Sequence, residues 1–232
     1  GGCPIDELGG MASMICINDD RFIPGLKLLT GAVKKNGAKI AAQLYQAGRY
    51  THSAAIGGRK PFSSSAVRSK FTGETPRALE LNEISGVQDN FAEAAVRAQE
   101  AGFDAVEILG SAGYLISQFL SPITNLREDK YGGSMENRMR FGLEVIEKVR
   151  KAVGPNFPIL MRLAGNDFME GGNTSLEEMI SNTRRGILVT RTWYIRSVDP
   201  QTLLQTGLTR DGTFYIENGR IMHPIKNFRF NE

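Results

Sequence analysis

The stretch Ala101–Arg140, AGFDAVEILGSAGYLISQFLSPITNLREDKYGGSMENRMR, decides the fold class. It begins where a helix ends, because Gly102 can supply the left-handed residue that stops a helix. A short apolar strand follows over Phe103–Leu109, and then a long polar loop. Ser134 is placed to cap the next helix, which we predict over Met135–Ala152. A helix, a short apolar strand and a second helix in this order predict a parallel βαβ unit.

The same alternation precedes and follows this stretch. Short apolar strands separated by helices indicate a parallel sheet, and the strands account for about half of a (β/α)₈ barrel, which needs eight. In such barrels the chemistry lies at the carboxyl ends of the strands. The further predicted helices are Ile23–Asn36 and Glu83–Ala101, and the further predicted strands are Lys39–Leu44, Pro158–Leu163 and, as a fourth candidate, Met11–Ile17.

The pattern changes after Gly171–Asn173. The spacing Ser175-x-x-Glu178 is a capping box that predicts a short helix, and Ile187–Ile195 is rich in β-branched and aromatic residues. Asn218-Gly219 is a strong short-range hairpin signal. We therefore predict a partial barrel domain over residues 1–172 and an antiparallel, hairpin-rich β segment over residues 175–232.

Composition excludes several classes of protein. The chain has 232 residues and a formal net charge of +3, with basic residues dispersed along it, so no nucleic-acid surface is expected. No apolar run approaches the roughly 18 residues of a membrane span, and no signal peptide is recognisable. Two cysteines and two histidines lack the spacing of a metal site. A cytoplasmic location is the default expectation. The first residue is not Met, so we expect the sequence to begin inside a longer protein.

Four motifs together resemble the Old Yellow Enzyme-like NADH:flavin oxidoreductase family, in its 2,4-dienoyl-CoA reductase and bile-acid-inducible oxidoreductase branch. The resemblance covers residues 1–172. It implies an FMN-dependent enzyme that takes hydride from NAD(P)H and delivers it to a small-molecule enone or enoyl thioester. The motifs are AAQLYQAGRY (Ala41–Tyr50), GSAGYLISQFLSPITN (Gly110–Asn125), REDKYGGSMENR (Arg127–Arg138) and LMRLAG (Leu160–Gly165).

The resemblance assigns roles to three residues. Gln43 matches a glutamine that hydrogen-bonds the flavin pyrimidine edge, where an amide can both donate and accept. Arg162 matches an arginine near flavin N1, where a guanidinium stabilises the reduced flavin. Tyr114 matches a tyrosine that donates a proton to the substrate carbon. Taken without the family motifs, Gln43 could simply satisfy loop backbone and Tyr114 could be a core residue.

The sequence departs from the family pattern at the substrate pair. Many members carry two polar residues, a histidine with an asparagine or a second histidine, that bind the substrate carbonyl oxygen. Leu109 and Ala112 stand at those positions, and Gln46 replaces a common histidine. The family's phosphate-binding loops, a later histidine and the iron–sulfur cysteines of its larger members have no match in this sequence. The loop residues Arg127, Asp129, Tyr131, Asn137 and Arg138 resemble a structural network that shapes the loop.

Residues 175–232 resemble the C-terminal region of the TldD/PmbA family of metallopeptidases, without its metal ligands. We expect Asp211, Glu217 and His223 to be turn, surface and strand-end residues, and we expect no metal site. Two alternatives to the reductase therefore stay open, a fragment of a TldD/PmbA-like metallopeptidase and an inactive chimeric fragment. A partial barrel also leaves strand edges open, which the hairpin tail or a second copy of the chain, as a homo-oligomer, could cover.

Overall fold

The structure, a computed structural model, describes residues 2–10, 14–164, 171–172, 176–199 and 204–231. The chain divides into two compact units, Gly1–Asn173 and Thr174–Glu232. The helices described are α1 (Ile23–Lys35), α2 (Leu81–Glu100), α3 (Leu115–Leu120), α4 (Met135–Val153) and α5 (Leu176–Ser181). The strands described are β1 (Cys3–Pro4), β2 (Ala41–Tyr45), β3 (Phe62–Ser63), β4 (Arg77–Ala78), β5 (Ala105–Gly110), β6 (Ile159–Leu163), β7 (Arg185–Asp199), β8 (Leu204–Glu217), β9 (Arg220–Pro224) and β10 (Arg229–Asn231).

The first unit is built on a parallel sheet with the strand order β1-β2-β5-β6. Every pairing in this sheet is parallel, and helices connect successive long strands, as in a βαβ arrangement. The small parallel pair β3–β4 lies in the long segment between β2 and α2. All strands of the main sheet therefore end at the same edge, which is the edge where barrel enzymes carry their chemistry.

The core of this unit lies between the sheet and its helices. Phe91, Ala94 and Ala95 form a fully buried face on α2. On the neighbouring α4, Phe141 stacks against Phe119 of α3 with ring centroids 4.1 Å apart. Burying one such aromatic side chain contributes about 1.5–3 kcal/mol. This packing fixes α3 and α4, and with them the loops that follow β5.

The second unit is an antiparallel sheet with the order β10-β8-β7, and β9 also pairs with β8. Its β8–β9 hairpin turns at Asn218-Gly219, where both residues have positive φ, +48° and +78°. These values match the turn type that the Asn-Gly signal predicts. The predicted fold class, a partial parallel α/β barrel followed by antiparallel β hairpins, is confirmed.

The predicted helices and strands agree with the structure to within a few residues, with one exception, and the loop predicted after β5 contains the short helix α3. Met11–Ile17 was expected to be a strand. Residues 11–13 lie outside the described part of the chain, and Met14–Ile17 form no strand. The further strand of the sheet is instead β1, which pairs with the end of β2. A two-residue strand has no periodicity, so the sequence pattern could not reveal it.

Candidate active site

One face of the parallel sheet carries polar and aromatic side chains. Successive residues of a strand point to opposite faces. Ala42 and Leu44 of β2 belong to the core beneath the helices. Gln43 and Tyr45 therefore lie on the opposite face, and Glu107 is the register partner of Gln43 on β5. In a closed (β/α)₈ barrel, the face opposite the helices is the interior, and the active site lies at the carboxyl ends of the strands.

Gln43 and Arg162 both contact Glu107 on this face. Gln43 Nε2 donates to Glu107 Oε1 at 2.6 Å. From β6, Arg162 Nε donates to Glu107 Oε1 at 3.0 Å and Nη2 donates to Oε2 at 3.3 Å. The structure thus brings two predicted site residues together through a third residue that the sequence reasoning missed. The available signal was the single carboxylate inside the otherwise apolar run AVEIL (Ala105–Leu109).

The electrostatics of this group favour an ionised carboxylate. The hydrogen bonds from Arg162, and secondarily from Gln43, hold the pKa of Glu107 below its ordinary value. The Glu107 side chain is 19% exposed, whereas that of Arg162 is 59% exposed. Glu107 therefore stays charged near neutral pH, and it fixes the more exposed guanidinium beside the Gln43 amide.

Tyr114 lies in an aromatic cluster at the end of β5, in the turn that leads into α3. Its ring stacks on Tyr45 with centroids 5.2 Å apart and meets Tyr50 edge-on at 6.3 Å. In the described part of the chain its hydroxyl has no hydrogen-bond partner. Burial raises the pKa of Tyr45 to about 12, which keeps that phenol neutral. The aromatic cavity, about 270 Å³, is lined by Met14, Tyr45, Ala47, Tyr50, Phe71, Ala112 and Tyr114.

Leu109 and Ala112, which by resemblance stand at the positions of the family's substrate pair, lie beside or in this cavity. Leu109 is buried against Tyr45 and Ala47. Ala112 lines the cavity and adopts the left-handed region with φ of 59°. Neither side chain can donate a hydrogen bond. These two side chains therefore offer no hydrogen-bond donor to the cavity.

Gln118 of α3 joins the two loops that border the aromatic cavity. Its Nε2 donates to the carbonyl oxygens of Ala47 and Gly113, at 3.0 Å and 2.7 Å. Its Oε1 accepts from the backbone N–H of Arg49 at 3.1 Å and from the Ser63 hydroxyl at 2.8 Å. This buried amide thus has four partners, and it fixes the loop after β2 relative to the loop after β5. The partners come from distant parts of the sequence, so motif reasoning did not single out Gln118.

The loop after α3 contains the network that the family resemblance predicts. Arg127 pairs with Asp129 at 2.6 Å and also donates to the carbonyl oxygens of Ser64 and Leu79. Asp129 in turn accepts from the backbone N–H of Tyr131 at 2.9 Å. Asn137 and Arg138 donate to the backbone oxygens of Gly132 and Leu120. Within the described chain these side chains bind loop and helix backbone.

The described residues include no cluster of three or more His, Cys, Asp or Glu side chains that could hold a metal ion. Glu217 and His223 lie on β8 and β9, where the His223 ring contacts Tyr215. The Asp211 side chain lies outside the described residues. Within the described chain, no helix has the length and apolar character that a bilayer crossing requires.

Comparison with known proteins decides the family. The model of the NADH:flavin oxidoreductase / NADH oxidase family matches residues 3–201. The chain belongs to this family. Members of the NADH:flavin oxidoreductase family use FMN with NAD(P)H. The match extends past the predicted boundary at residues 172–175, and the resemblance of residues 175–232 to TldD/PmbA proteins stays a prediction.

Three relatives illustrate the similarity. The metal reductase of Desulforamulus reducens is 56% identical over 180 residues, which cover 78% of this chain and 27% of that protein. A 2-naphthoyl-CoA reductase in complex with 2-naphthoyl-CoA is 36% identical with a TM-score of 0.71, covering 77% of this chain and 29% of that one. Morphinone reductase in complex with tetrahydroNAD is 35% identical with a TM-score of 0.69, covering 77% and 54%. The chain thus spans about a quarter to a half of these relatives.

The polar groups on the inner face fit the edge of an isoalloxazine ring. Gln43 offers Oε1, which accepts no hydrogen bond from any described residue, beside the Arg162 guanidinium. A flavin pyrimidine edge alternates N–H and C=O groups, and these two side chains together supply an acceptor and fixed donors. The neighbouring aromatic cavity is the kind of apolar surface that a planar conjugated substrate requires. The donor set of the described residues is therefore compatible with FMN.

Proposed function

We propose that this chain forms part of an FMN-dependent oxidoreductase that passes hydride from NAD(P)H to an α,β-unsaturated carbonyl or enoyl thioester. One observation supports this above the others. Gln43 and Arg162, assigned to flavin binding by family resemblance, meet at Glu107 on the inner face of the sheet. The aromatic cavity that contains Tyr114 opens at the carboxyl end of the same strands.

The proposed roles divide between binding and electrostatics. Gln43 would hydrogen-bond the flavin pyrimidine edge through its amide. Arg162 would place positive charge where reduced flavin gathers negative charge. When bound, FMN supplies the hydride-transfer chemistry that no side chain can perform. Glu107 would hold both side chains in place for the flavin through its hydrogen bonds to them.

Tyr114 is the proposed proton donor to the substrate Cα. Its hydroxyl has no hydrogen-bond partner among the described residues, and its ring is held by Tyr45 and Tyr50. A phenol positioned beside the substrate can donate a proton to the carbon next to the one that has gained hydride. The substrate's apolar body would pack on the aromatic rings, and Ala112 would add only an apolar contact to the cavity wall.

The names of the structural relatives favour two substrate classes. One relative is a morphinone reductase and another is a complex of 2-naphthoyl-CoA reductase with 2-naphthoyl-CoA. An enone and an aryl thioester share a carbonyl conjugated to unsaturated carbon, which supports the substrate class proposed here. The metallopeptidase alternative has no supporting observation within the described residues. A cytoplasmic location and a homo-oligomeric state stay predictions.

The deciding experiment is flavin binding. The purified chain is incubated with excess FMN, passed over a desalting column, and its visible absorbance and mass are recorded. We expect flavin bands with FMN at about one per chain or per dimer, and weaker retention for Gln43→Leu and Arg162→Gln. Gln99→Leu serves as the control, because the Gln99 side chain donates to the Val153 carbonyl oxygen and not to a residue of this face. A colourless protein would contradict flavin binding by this chain.

A further inference from the structure

Arg49 occupies a position in the first unit that the proposed catalytic roles do not use. It follows β2 in the short 3₁₀ turn Gly48–Tyr50. Its side chain lines a second cavity, the polar cleft, of about 280 Å³. The other groups lining the polar cleft include Gly113, Ser117, Ser121 and Thr124. The Ser117 and Thr124 hydroxyls already donate to the carbonyl oxygens of Gly110 and Gln118. The group in this cleft that can bind anionic oxygen is therefore the Arg49 guanidinium.

The Arg49 guanidinium has no hydrogen-bond or ion-pair partner among the residues that the structure describes. Its Nε is buried without a hydrogen bond, the only such side-chain atom in the described part of the chain. No described carboxylate lies within ion-pair distance of it. The comparison with Arg127 is direct, because that buried guanidinium binds Asp129 and two carbonyl oxygens. A buried donor without a partner requires an explanation, and a ligand that accepts its hydrogen bonds supplies one.

The protein fixes the position of Arg49 although its guanidinium makes no hydrogen bond to a described residue. Its backbone N–H donates to Gln118 Oε1, and its carbonyl oxygen accepts from the Thr72 hydroxyl at 3.3 Å. Its guanidinium carbon lies 5.5 Å from the centre of the Tyr50 ring. The backbone and one side of the side chain are therefore held by the protein. A charge held in this way is preorganised for an incoming anion.

The polar cleft adjoins the aromatic cavity. Tyr50 and Ala112 line both cavities, and Gly113 in the polar cleft precedes Tyr114 in the aromatic cavity. A single ligand can therefore occupy the polar cleft and the aromatic cavity together. We propose that Arg49 binds an anionic oxygen group, a carboxylate or a phosphate, on a substrate whose unsaturated carbonyl lies in the aromatic cavity. This inference rests on the proposed function, and it narrows the substrate class to enones or enoyl compounds that carry a negative charge.

The test measures anion binding without flavin or turnover. The purified protein is titrated by calorimetry at low ionic strength with inorganic phosphate, pyrophosphate and succinate, since salt screens such contacts. We expect saturable binding of at least one anion at one site per chain. The ranking of phosphate and pyrophosphate against succinate tells whether the site prefers phosphate or carboxylate. No saturable binding of any of the three would overturn the proposal.

Three variants assign the binding to Arg49. Arg49→Gln should weaken the preferred anion at least tenfold, and Arg21→Gln, which removes an exposed arginine outside the cleft, should leave affinity unchanged. Arg49→Lys keeps the charge without the planar fork, so it should bind at least threefold more weakly than wild type. Equal affinity of wild type and Arg49→Gln would overturn the proposal. If Arg49→Gln does not fold, equal affinity of wild type and Arg49→Lys would do so.

This experiment separates the two proposals. A protein that binds FMN but no anion would leave the reductase proposal standing and remove the Arg49 site. A colourless protein that binds anions through Arg49 would contradict flavin binding by this chain and would leave the Arg49 anion site standing.

Discussion

Glu107 and Arg162 form an ion pair across β5 and β6, with Glu107 Oε1 3.0 Å from Arg162 Nε. The two residues are not direct register partners, because Arg162 lies opposite Leu109. The arginine thus reaches along the strand to the carboxylate that also binds Gln43. One carboxylate therefore orients both residues that we assign to flavin binding.

Glu107→Gln tests the stabilising part of this arrangement. The substitution keeps the side-chain shape and removes the charge that binds Arg162. Because the Arg162 side chain is 59% exposed, we expect the free energy of unfolding to fall by only about 0.5–1 kcal/mol. Urea denaturation at pH 7 measures it. Glu128→Gln, at an exposed position, is the matched control and should change stability by less than about 0.5 kcal/mol. Equal effects of the two would show that the ion pair contributes nothing measurable.

Tyr114→Phe tests the proton donor. Removing the hydroxyl should slow reduction of the unsaturated substrate by about 10²–10⁴-fold, while reduction of the flavin by NAD(P)H stays nearly unchanged. Stopped-flow absorbance on the FMN-loaded protein measures the two half-reactions separately. The control is Tyr50→Phe, which keeps the neighbouring ring in the same cavity.

Two results would contradict the assignment. Equal slowing of both half-reactions in Tyr114→Phe would remove this residue from the acid role. Slow substrate reduction in Tyr50→Phe, with Tyr114→Phe unaffected, would transfer the role to Tyr50.

Gln118→Leu tests the amide that joins the two loops. The substitution leaves the carbonyl oxygens of Ala47 and Gly113 and the donors of Arg49 and Ser63 without their shared partner. Since buried unpaired groups are costly, we expect a loss of about 2–4 kcal/mol in the free energy of unfolding. Gln99→Leu, which removes a single hydrogen bond to Val153, should cost about 1 kcal/mol. Denaturant titration measures the free energy of unfolding of both variants. Equal losses in the two variants would show that Gln118 stabilises the fold no more than a residue with a single hydrogen bond.

Asp129→Asn tests the loop network through its pH dependence. The hydrogen bond from Arg127 holds the pKa of Asp129 below its ordinary value of 3.8. A lowered pKa in the folded state contributes stability above the ordinary value and loses it as pH falls through the folded pKa. The variant should therefore be less stable by about 1–3 kcal/mol at pH 7, and the difference should shrink below about pH 4.

Thermal unfolding from pH 2 to pH 7 measures this difference. Asp89→Asn is the comparison, because it breaks a more exposed ion pair with Lys148 and should cost at most about 1 kcal/mol. A constant difference between wild type and Asp129→Asn at all pH values would mean that the charge of Asp129 plays no part.

Local signals predicted most of the fold. The predicted N-cap at Ser134 is confirmed by a hydrogen bond from the backbone N–H of Asn137. The Asn218-Gly219 hairpin is confirmed by its backbone angles. These features depend on a few adjacent residues. β1 was not predicted, because its strand character comes only from pairing with β2, some forty residues along the chain.

The sequence predicted only those residues of the candidate site to which a family motif assigns a role. Gln43, Arg162 and Tyr114 came from family motifs, and their catalytic and binding roles stay proposals. The residues that hold them came from the structure. Glu107 is a side chain whose partners lie on other strands, and Gln118 binds groups up to 71 residues away in sequence. Such contacts depend on tertiary packing and have no local pattern.

The partners of Gln118 have a consequence for how this site can change. Three of the four groups that it binds are main-chain atoms, of Ala47, Gly113 and Arg49. Main-chain atoms are the same whatever side chain a residue carries. The scaffold that spaces the two loops is therefore insulated from substitutions at cavity-lining positions such as Phe71. Directed evolution toward new substrates can vary those positions while leaving the frame intact.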